Sequence, residues 1–279
     1  MQLGILQFST DEAMHPAALA REVEARGFES LFFPEHTHIP TERRSPWPGG
    51  PNLPREYLRT NDLFVALAMA AAATTKLRIG TGICLVIEHD PISLAKSVAT
   101  LDSLSGGRVL FGIGGGWNAE EMENHGTNFR RRWEILRERI EAMRAIWTQD
   151  EATYHGEHVS FDPLWSWPQP VQKPHPPILL GSGSARGRQR VVDYCDGWMP
   201  IAGRDSIEAG IADLHARADA AGRARDTINI TAFGAPGDAA KLGRLRDAGV
   251  QRAILPVPPA AAEVVLPLLD RYAKLLATV

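Results

Sequence analysis

The sequence lacks several features that would place it in a common class of protein. Only two of its 279 residues are cysteine, Cys84 and Cys195, too few for a disulfide framework and typical of a reducing compartment. The formal net charge of -3 does not favour nucleic acid or a membrane surface as the main partner. The initial MQLGILQF has no basic start or long apolar core like that of a signal peptide, and no apolar run approaches the roughly 18 residues of a membrane span. We therefore expect a cytoplasmic protein that binds neither nucleic acid nor a membrane.

Nucleotide-binding motifs are also missing. The chain contains neither a G-x-x-x-x-G-K-[ST] loop nor a G-x-G-x-x-G run with a ribose-binding acid downstream. Gly112-x-Gly114 is superficially similar, but the spacing that follows does not fit. A Rossmann-type dinucleotide site is therefore not expected.

The sequence does contain a regular alternation of strand-like and helical segments. Eight short apolar runs alternate with eight segments whose apolar residues recur every three or four positions. This alternation predicts a single (β/α)8 TIM-barrel domain spanning residues 1–279. A doubly wound open sheet is the structural alternative. The predicted strands cover residues 3–8, 30–34, 77–86, 108–113, 177–181, 197–201, 228–233 and 252–257.

Two predicted connections are longer than ordinary loops, and insertions of this length usually serve as lids or interface arms. The first, about residues 37–60, follows the second strand and is rich in proline. Its arginines would either meet an anionic ligand or belong to a solvated lid; they are Arg43, Arg44, Arg55 and Arg59. The second, about residues 149–176, follows the fourth helix and contains a hairpin-like run, ATYHGEHVSF. It would either climb the barrel side to the mouth or form an oligomer arm.

The ends of the predicted strands, where a barrel carries its reactive groups, hold few charged side chains. His36-x-His38 has the spacing of metal ligands, but the later strand ends supply no further ligands, so we expect no metal. His36 is then either a hydrogen-bonded rim histidine or a proton donor. Cys84 has no obvious base nearby, which indicates a packing residue.

Two glycine-rich turns follow predicted strands and lead into helical sequence. Gly114, Gly115 and Gly116 end the fourth strand, and Gly181-Ser182-Gly183 ends the fifth. Backbone without β-carbons gives a ligand close access to amide N–H groups, and a following helix N-terminus favours an anion. Together the turns predict a site for a large ligand that brings its own reactivity.

These motifs together resemble the luciferase-like monooxygenase superfamily, and within it the coenzyme F420-dependent oxidoreductases. The resemblance covers most of the first two hundred residues, and SGGRVLFGIGGGWN is its most specific run. The resembling segments are FFPEHTHIP (32–40), LRIGTGICLV (77–86), DSLSGGRVLFGIGGGWNAEEMENHG (102–126), WPQPVQKPHPPILLGSGS (167–184) and DGWMP (196–200).

The resemblance implies a luciferase-like TIM barrel that holds a deazaflavin or flavin at the carboxyl ends of its strands. A non-proline cis peptide would fall at Gly82–Ile83, behind the cofactor ring. His36 matches the position of a histidine or acid near the ring and is the predicted catalytic residue. The predicted cofactor contacts are Phe8, Thr81, Gly82, Ile83, Gly114, Gly115, Gly116, Asn118, Gly181, Ser182 and Gly183. Members of the superfamily are commonly dimers, so the resemblance also implies a homodimer.

One departure from the family pattern bears on the reaction. Some F420-dependent dehydrogenases place a glutamate directly after the G-x-G of strand four, where this chain has Trp117. The leading hypothesis is hydride transfer between coenzyme F420 and a small organic substrate. The alternatives are an FMN-dependent monooxygenase on the same fold and a flavin-binding barrel without turnover.

Overall fold

Eight parallel strands close into a barrel in the computed structural model, which describes residues 1–204 and 206–278. The order around the barrel is β1-β10-β9-β8-β7-β4-β3-β2. The TIM-barrel prediction is confirmed, and the open doubly wound sheet is wrong. The barrel strands are β1 (Gln2–Leu6), β2 (Ser30–Phe33), β3 (Arg78–Thr81), β4 (Val109–Ile113), β7 (Ile178–Leu180), β8 (Gly197–Trp198), β9 (Asn229–Phe233) and β10 (Arg252–Pro256).

Helices surround the barrel, and several of them begin at side chains that cap their first turns. Asp62, Asp90, Ser184 and Asp238 each accept a hydrogen bond from a backbone N–H in the turn that follows. No helix in the described ranges has the length and apolarity needed to cross a membrane. The helices are α1 (Pro16–Ala25), α2 (Leu63–Ala72), α3 (Pro91–Ser105), α4 (Ala119–Asn124), α5 (Arg132–Thr148), α6 (Ala185–Tyr194), α7 (Ile207–Ala220), α8 (Ala239–Asp247) and α9 (Ala262–Ala273).

Two elements near the mouth, the carboxyl-terminal end of the barrel, differ from the sequence prediction. The third strand was expected to continue to residue 86, but β3 ends at Thr81, and a 3-10 helix follows at Val86–Glu88. Helix α4, directly after the first glycine turn, was not predicted because its six residues are too few to show a helical period.

Two apolar cores hold the barrel. A larger core lies between the strands and the surrounding helices, and it includes the buried Phe33, Phe111 and Trp147. A smaller core takes one side chain from each of five strands, together with Met199 directly after β8, as expected for residues that point into the barrel. Its members are Leu6, Phe32, Leu110, Leu179, Met199 and Ile254.

The second insertion lies along the flank of the barrel. Its hairpin is formed by β5 (Ala152–His155) and β6 (Ser160–Leu164), as predicted, and Glu138 of α5 accepts hydrogen bonds from the backbone of its turn. Farther along, Gln172 bonds to Asp102 and to the carbonyl of Val109, at the start of β4. These contacts place the insertion beside α3 and α5 rather than at the mouth. Trp165 and Trp167 are exposed there.

Candidate functional site

The three backbone segments predicted to hold the cofactor meet at the mouth. The peptide bond Gly82–Ile83 is cis, as the resemblance implies. The Ile83 side chain packs closely against Gly114, and its Cγ2 lies 3.0 Å from where a Gly181 β-carbon would stand. Because β3, β4 and β7 are neighbours, the bulge after β3 and both glycine turns form one continuous edge.

The glycines of the first turn are needed for packing as much as for ligand access, which corrects the sequence interpretation. A β-carbon on Gly114 would meet Ile83, and one on Gly115 would stand 2.7 Å from the Trp133 ring. Gly116 has φ +60°, a conformation that favours glycine. The turns still offer backbone donors, since the N–H groups of Gly115, Gly116 and Gly183 have no acceptor in the described part of the chain.

His36 is held by a buried carboxylate that the sequence analysis missed. Its Nδ1 lies 2.8 Å from Oε2 of Glu121, whose side chain is fully buried on α4. Glu121 also accepts hydrogen bonds from the backbone N–H of Thr37 and from Asn118 Nδ2. A carboxylate surrounded by donors accepts from His36, so Nδ1 carries the proton and Nε2 is left to exchange one at the mouth.

The expectation that the strand ends are poor in charged groups is wrong for this side of the barrel. Glu35, directly after β2, accepts hydrogen bonds from the backbone N–H of Leu85 and from His89 Nε2. Glu88, in the 3-10 helix after β3, is fully buried as well. We call Glu35, His36, Glu88 and Glu121 the acid side of the mouth. The signal in the sequence was the run Glu120–Glu121 after the glycines, but nothing local shows which of the two turns inward.

Tyr57, also missed, organises an aromatic wall beside His36. Its ring centroid lies 4.8 Å from that of Phe8 and 5.1 Å from that of His36. Trp47 and Trp117 complete the wall at 5.7 and 6.3 Å from Tyr57. The first insertion therefore contributes apolar surface at the mouth, because Trp47 and Tyr57 both belong to it.

The arginines of the first insertion are mostly committed to ion pairs. Arg44 pairs with Glu120 and Glu123, Arg55 with Glu12, and Arg59 with Asp11. Arg43 lies over Trp117, with its guanidinium carbon 5.7 Å from the ring centroid. The insertion thus fits the lid alternative better than a site for an anionic ligand.

Two other arginines have no carboxylate partner within ion-pairing distance in the described ranges. Arg190 lies 4.3 Å from the centroid of the Trp133 ring, and Arg132 lies on the same ring at 5.7 Å. Burial, together with the like charge of Arg190, lowers the pKa of Arg132. Trp133 is the ring packed on Gly115. We call Gly115, Gly183, Arg132, Trp133 and Arg190 the glycine side of the mouth.

Several predicted contact residues also have hydrogen-bond partners within the protein. Thr81 is buried and donates its hydroxyl to the carbonyl of Gly112, and Asn118 is buried and donates its amide to Glu121. Ser182 accepts a hydrogen bond at its carbonyl from Trp198. Arg188, which follows the second glycine turn on α6, pairs with Asp213.

The described residues include one group with the composition of a metal site. Ligand atoms of Glu35, Cys84 and His89 lie within 4.8 Å of one another. Both Glu35 oxygens already accept hydrogen bonds, and burial and the Glu35 charge raise the pKa of the Cys84 thiol. Hydrogen bonding explains the cluster without a metal. His36 and His38 diverge, since His38 Nδ1 contacts Thr37 rather than Glu121.

A cleft of about 890 Å³ opens between the first insertion and the segment after α4. Trp117 and Phe129 give it an apolar part, while Arg44, Glu120 and Arg130 are among its charged residues. The cleft therefore reaches the aromatic wall through Trp117.

Comparison with known proteins agrees with this architecture. Residues 7–237 match the family described as luciferase-like monooxygenase. The chain belongs to this family. Within it, an uncharacterized protein of Mycobacterium tuberculosis is 42% identical over 282 residues, which cover 99% of both chains.

The names of two further relatives specify different cofactors. An F420-dependent hydroxymycolic acid dehydrogenase of Mycobacterium tuberculosis is 28% identical over 249 residues, covering 86% of this chain and 63% of that protein. An FMNH(2)-dependent dimethylsulfone monooxygenase of Pseudomonas putida is 33% identical over 171 residues, covering 58% and 45%. Family membership therefore indicates a flavin-type cofactor without deciding between the two.

Solved structures share the fold. An F420-dependent secondary alcohol dehydrogenase superposes with a TM-score of 0.80 at 17% identity, covering 99% of this chain and 98% of the other. The monooxygenase RslO1 from Streptomyces bottropensis also gives a TM-score of 0.80, at 19% identity and 99% coverage of both chains. An F420-dependent dehydrogenase and a monooxygenase thus share this barrel.

Proposed function

We propose that this protein is a coenzyme F420-dependent oxidoreductase that transfers hydride between the deazaflavin and a small organic substrate. When bound, the deazaflavin would supply the hydride chemistry. The remaining tasks fall to the chain itself: binding the cofactor, orienting the substrate, excluding water and handling a proton.

The proposed choice of F420 rests on the two arginines of the glycine side that have no ion-pair partner. Arg132 and Arg190 repel each other beside the free N–H groups of the glycine turns. An anion placed between them would relieve this repulsion and accept charge-assisted hydrogen bonds. Arg132, Arg190 and the backbone donors together would hold an extended anionic tail such as that of F420, with more contacts than a single phosphate would need.

The acid side fits the proton requirement of the reaction. Hydride transfer to a carbonyl, or from an alcohol, needs a group that gives or takes one proton at the substrate oxygen. Nε2 of His36 is suited to this because Glu121 fixes the ring through Nδ1. The rings of Tyr57 and Trp117 pack against His36, and Phe8 packs against Tyr57; this apolar wall would exclude water and favour an apolar substrate.

An FMN-dependent monooxygenase is the second candidate. The similarity to the dimethylsulfone monooxygenase favours it, because that match has a higher identity than the match to the F420-dependent dehydrogenase, although over fewer residues. An aromatic wall that excludes water would also suit the reaction of a monooxygenase.

Titration of the purified protein with F420 and with FMN tests the proposal. We expect F420 to bind at least about 10-fold more tightly than FMN, as one additional charge-assisted contact would give. The preference should shrink as salt is added, because screening weakens the arginine contribution. Tight FMN binding with no F420 binding would overturn the assignment, and oxygen consumption with reduced FMN would then support the monooxygenase.

A further inference from the structure

Glu88 is a buried acid to which the proposed reaction assigns no role. Its side chain is fully buried, and neither carboxyl oxygen has a hydrogen-bond partner among the described residues. Glu121 nearby accepts three hydrogen bonds, and Glu35 accepts two. A buried carboxylate without donors is far more costly than one with them, so these acids do not share the same charge state.

The surroundings of Glu88 favour its neutral form. The charges close to it are the carboxylates Glu121, on α4, and Glu35, after β2. The Cys84 thiol and the His89 imidazole lie on the adjoining segment. Arg139 of α5 approaches only the carbonyl of Val86, and no lysine or arginine of the described chain pairs with Glu88. Burial, followed by the charges of Glu121 and Glu35, raises the pKa of Glu88 to about 9.

One titratable group connects Glu88 with the outer surface. Nε2 of His125 lies 4.0 Å from Oε2 of Glu88, and the His125 side chain is 29% exposed. The same Nε2 contacts the hydroxyl of Thr37 at 2.7 Å. Burial and the nearby His38 lower the pKa of His125. A histidine that is mostly neutral near pH 7 both accepts and returns protons readily.

We propose that Glu88 is a protonated positioning residue behind the His36–Glu121 pair, and that its proton exchanges with solvent through His125. A neutral Glu88 leaves Glu121 as the ionised partner of His36. In the exchange, Glu88 passes its proton to His125, which releases a proton to water, and His125 then takes a proton from water and returns it to Glu88. Each transfer breaks one O–H or N–H bond and forms another, and no electrons move.

The neutral state of Glu88 bears on catalysis in a way that rests on the proposed function. Because a neutral Glu88 adds no negative charge beside Glu121, Glu121 stays the ionised partner of His36 while His36 gives a proton to a substrate. The protonation state itself requires neither cofactor nor substrate, so it can be tested separately.

Infrared spectroscopy of the cofactor-free protein at about pH 7 tests the state of Glu88. Wild type should show the carbonyl band of a protonated carboxylic acid, and Glu88→Gln should lack it. Glu123→Gln, an exposed residue of α4, is the matched control and should leave the band unchanged. If wild type and Glu88→Gln give the same spectrum in this region, Glu88 is ionised and the proposal is wrong.

Transfer of the same samples into D2O tests the exchange through His125, because deuteration shifts this band. We expect His125→Ala to slow the shift by roughly 10-fold or more, and added imidazole to restore it. His155→Ala is the control, because this histidine of the β5–β6 hairpin is hydrogen-bonded to Ser160 and contributes to the surroundings of neither Glu88 nor His125. Unchanged exchange in His125→Ala would overturn the route through His125. Failure of F420 binding would overturn the proposed function and leave both infrared results intact.

Discussion

On the acid side of the mouth, His36 and Glu121 share a hydrogen bond, and Glu121 and Glu35 also accept hydrogen bonds from backbone N–H groups. On the glycine side, Arg132 and Arg190 face the same ring with no counter-charge among the described residues, beside backbone donors that have no acceptor there. Both sides are built on neighbouring strands of one barrel, yet the acid-side groups other than Glu88 are paired within the protein, whereas the two arginines of the glycine side have no ion-pair partner. The difference indicates that the acid side is held by its own hydrogen bonds, whereas the glycine side keeps donors and cations available to a ligand.

The largest effect should come from removing the central carboxylate of the acid side. We expect Glu121→Ala to lower the free energy of unfolding by about 3–5 kcal/mol, because His36, Thr37 and Asn118 lose a buried acceptor. Urea unfolding measures this loss. Glu123 lies on the exposed face of the same helix, so Glu123→Ala should leave the urea unfolding midpoint unchanged. Equal midpoints for both variants would show that the acid side is not a structural unit.

A pH-dependent effect should follow from Glu88. Its folded pKa of about 9 exceeds its ordinary value, so the folded protein holds a proton that the unfolded chain releases. The stability supplied by this proton is complete at acid pH and is lost as the pH rises through about 9. Between about pH 5 and pH 9 we expect wild type to lose at least about 2 kcal/mol more than Glu88→Gln. Parallel stability curves in urea would contradict this.

A packing change on the glycine side should have a smaller effect on stability. Gly115→Ala puts a β-carbon 2.7 Å from the Trp133 ring, and we expect a loss of about 1–3 kcal/mol together with weaker F420 binding. Gly243→Ala is the matched control, because nothing lies within 4 Å of its added carbon on helix α8. That control should stabilise by up to about 1 kcal/mol. If Gly115→Ala changed neither stability nor F420 binding, the Trp133 ring would not pack against Gly115.

Removing one unpaired cation should affect binding more than folding. We expect Arg190→Gln to weaken F420 binding about 10-fold while leaving the urea midpoint close to that of wild type. Arg55→Gln, which loses an exposed ion pair with Glu12, is the control and should bind F420 normally. Isothermal titration calorimetry of both variants at low and high salt measures these affinities. Equal losses in both variants would mean that overall charge, rather than the glycine side, attracts the cofactor.

The barrel and its glycine turns were predictable from sequence because they depend on local order. Apolar runs at regular spacing identify the strands, and Gly181–Gly183 leads directly into α6. The acid side depends instead on residues distant in the chain, since 85 positions separate His36 from Glu121. The helix face on which Glu121 lies depends on where α4 begins, and α4 is too short to show a helical period in the sequence. Pairing of Arg44, Arg55 and Arg59 was hidden for the same reason, because each partner lies in another segment.

The position of Ile83 has a consequence for how this chain can vary. Its side chain occupies the space that β-carbons on Gly114 and Gly181 would need. A larger residue at either glycine therefore becomes tolerable only where position 83 is smaller. Among homologous sequences these three positions should covary. An alignment in which they vary independently would mean that the residue at position 83 does not pack against both turns.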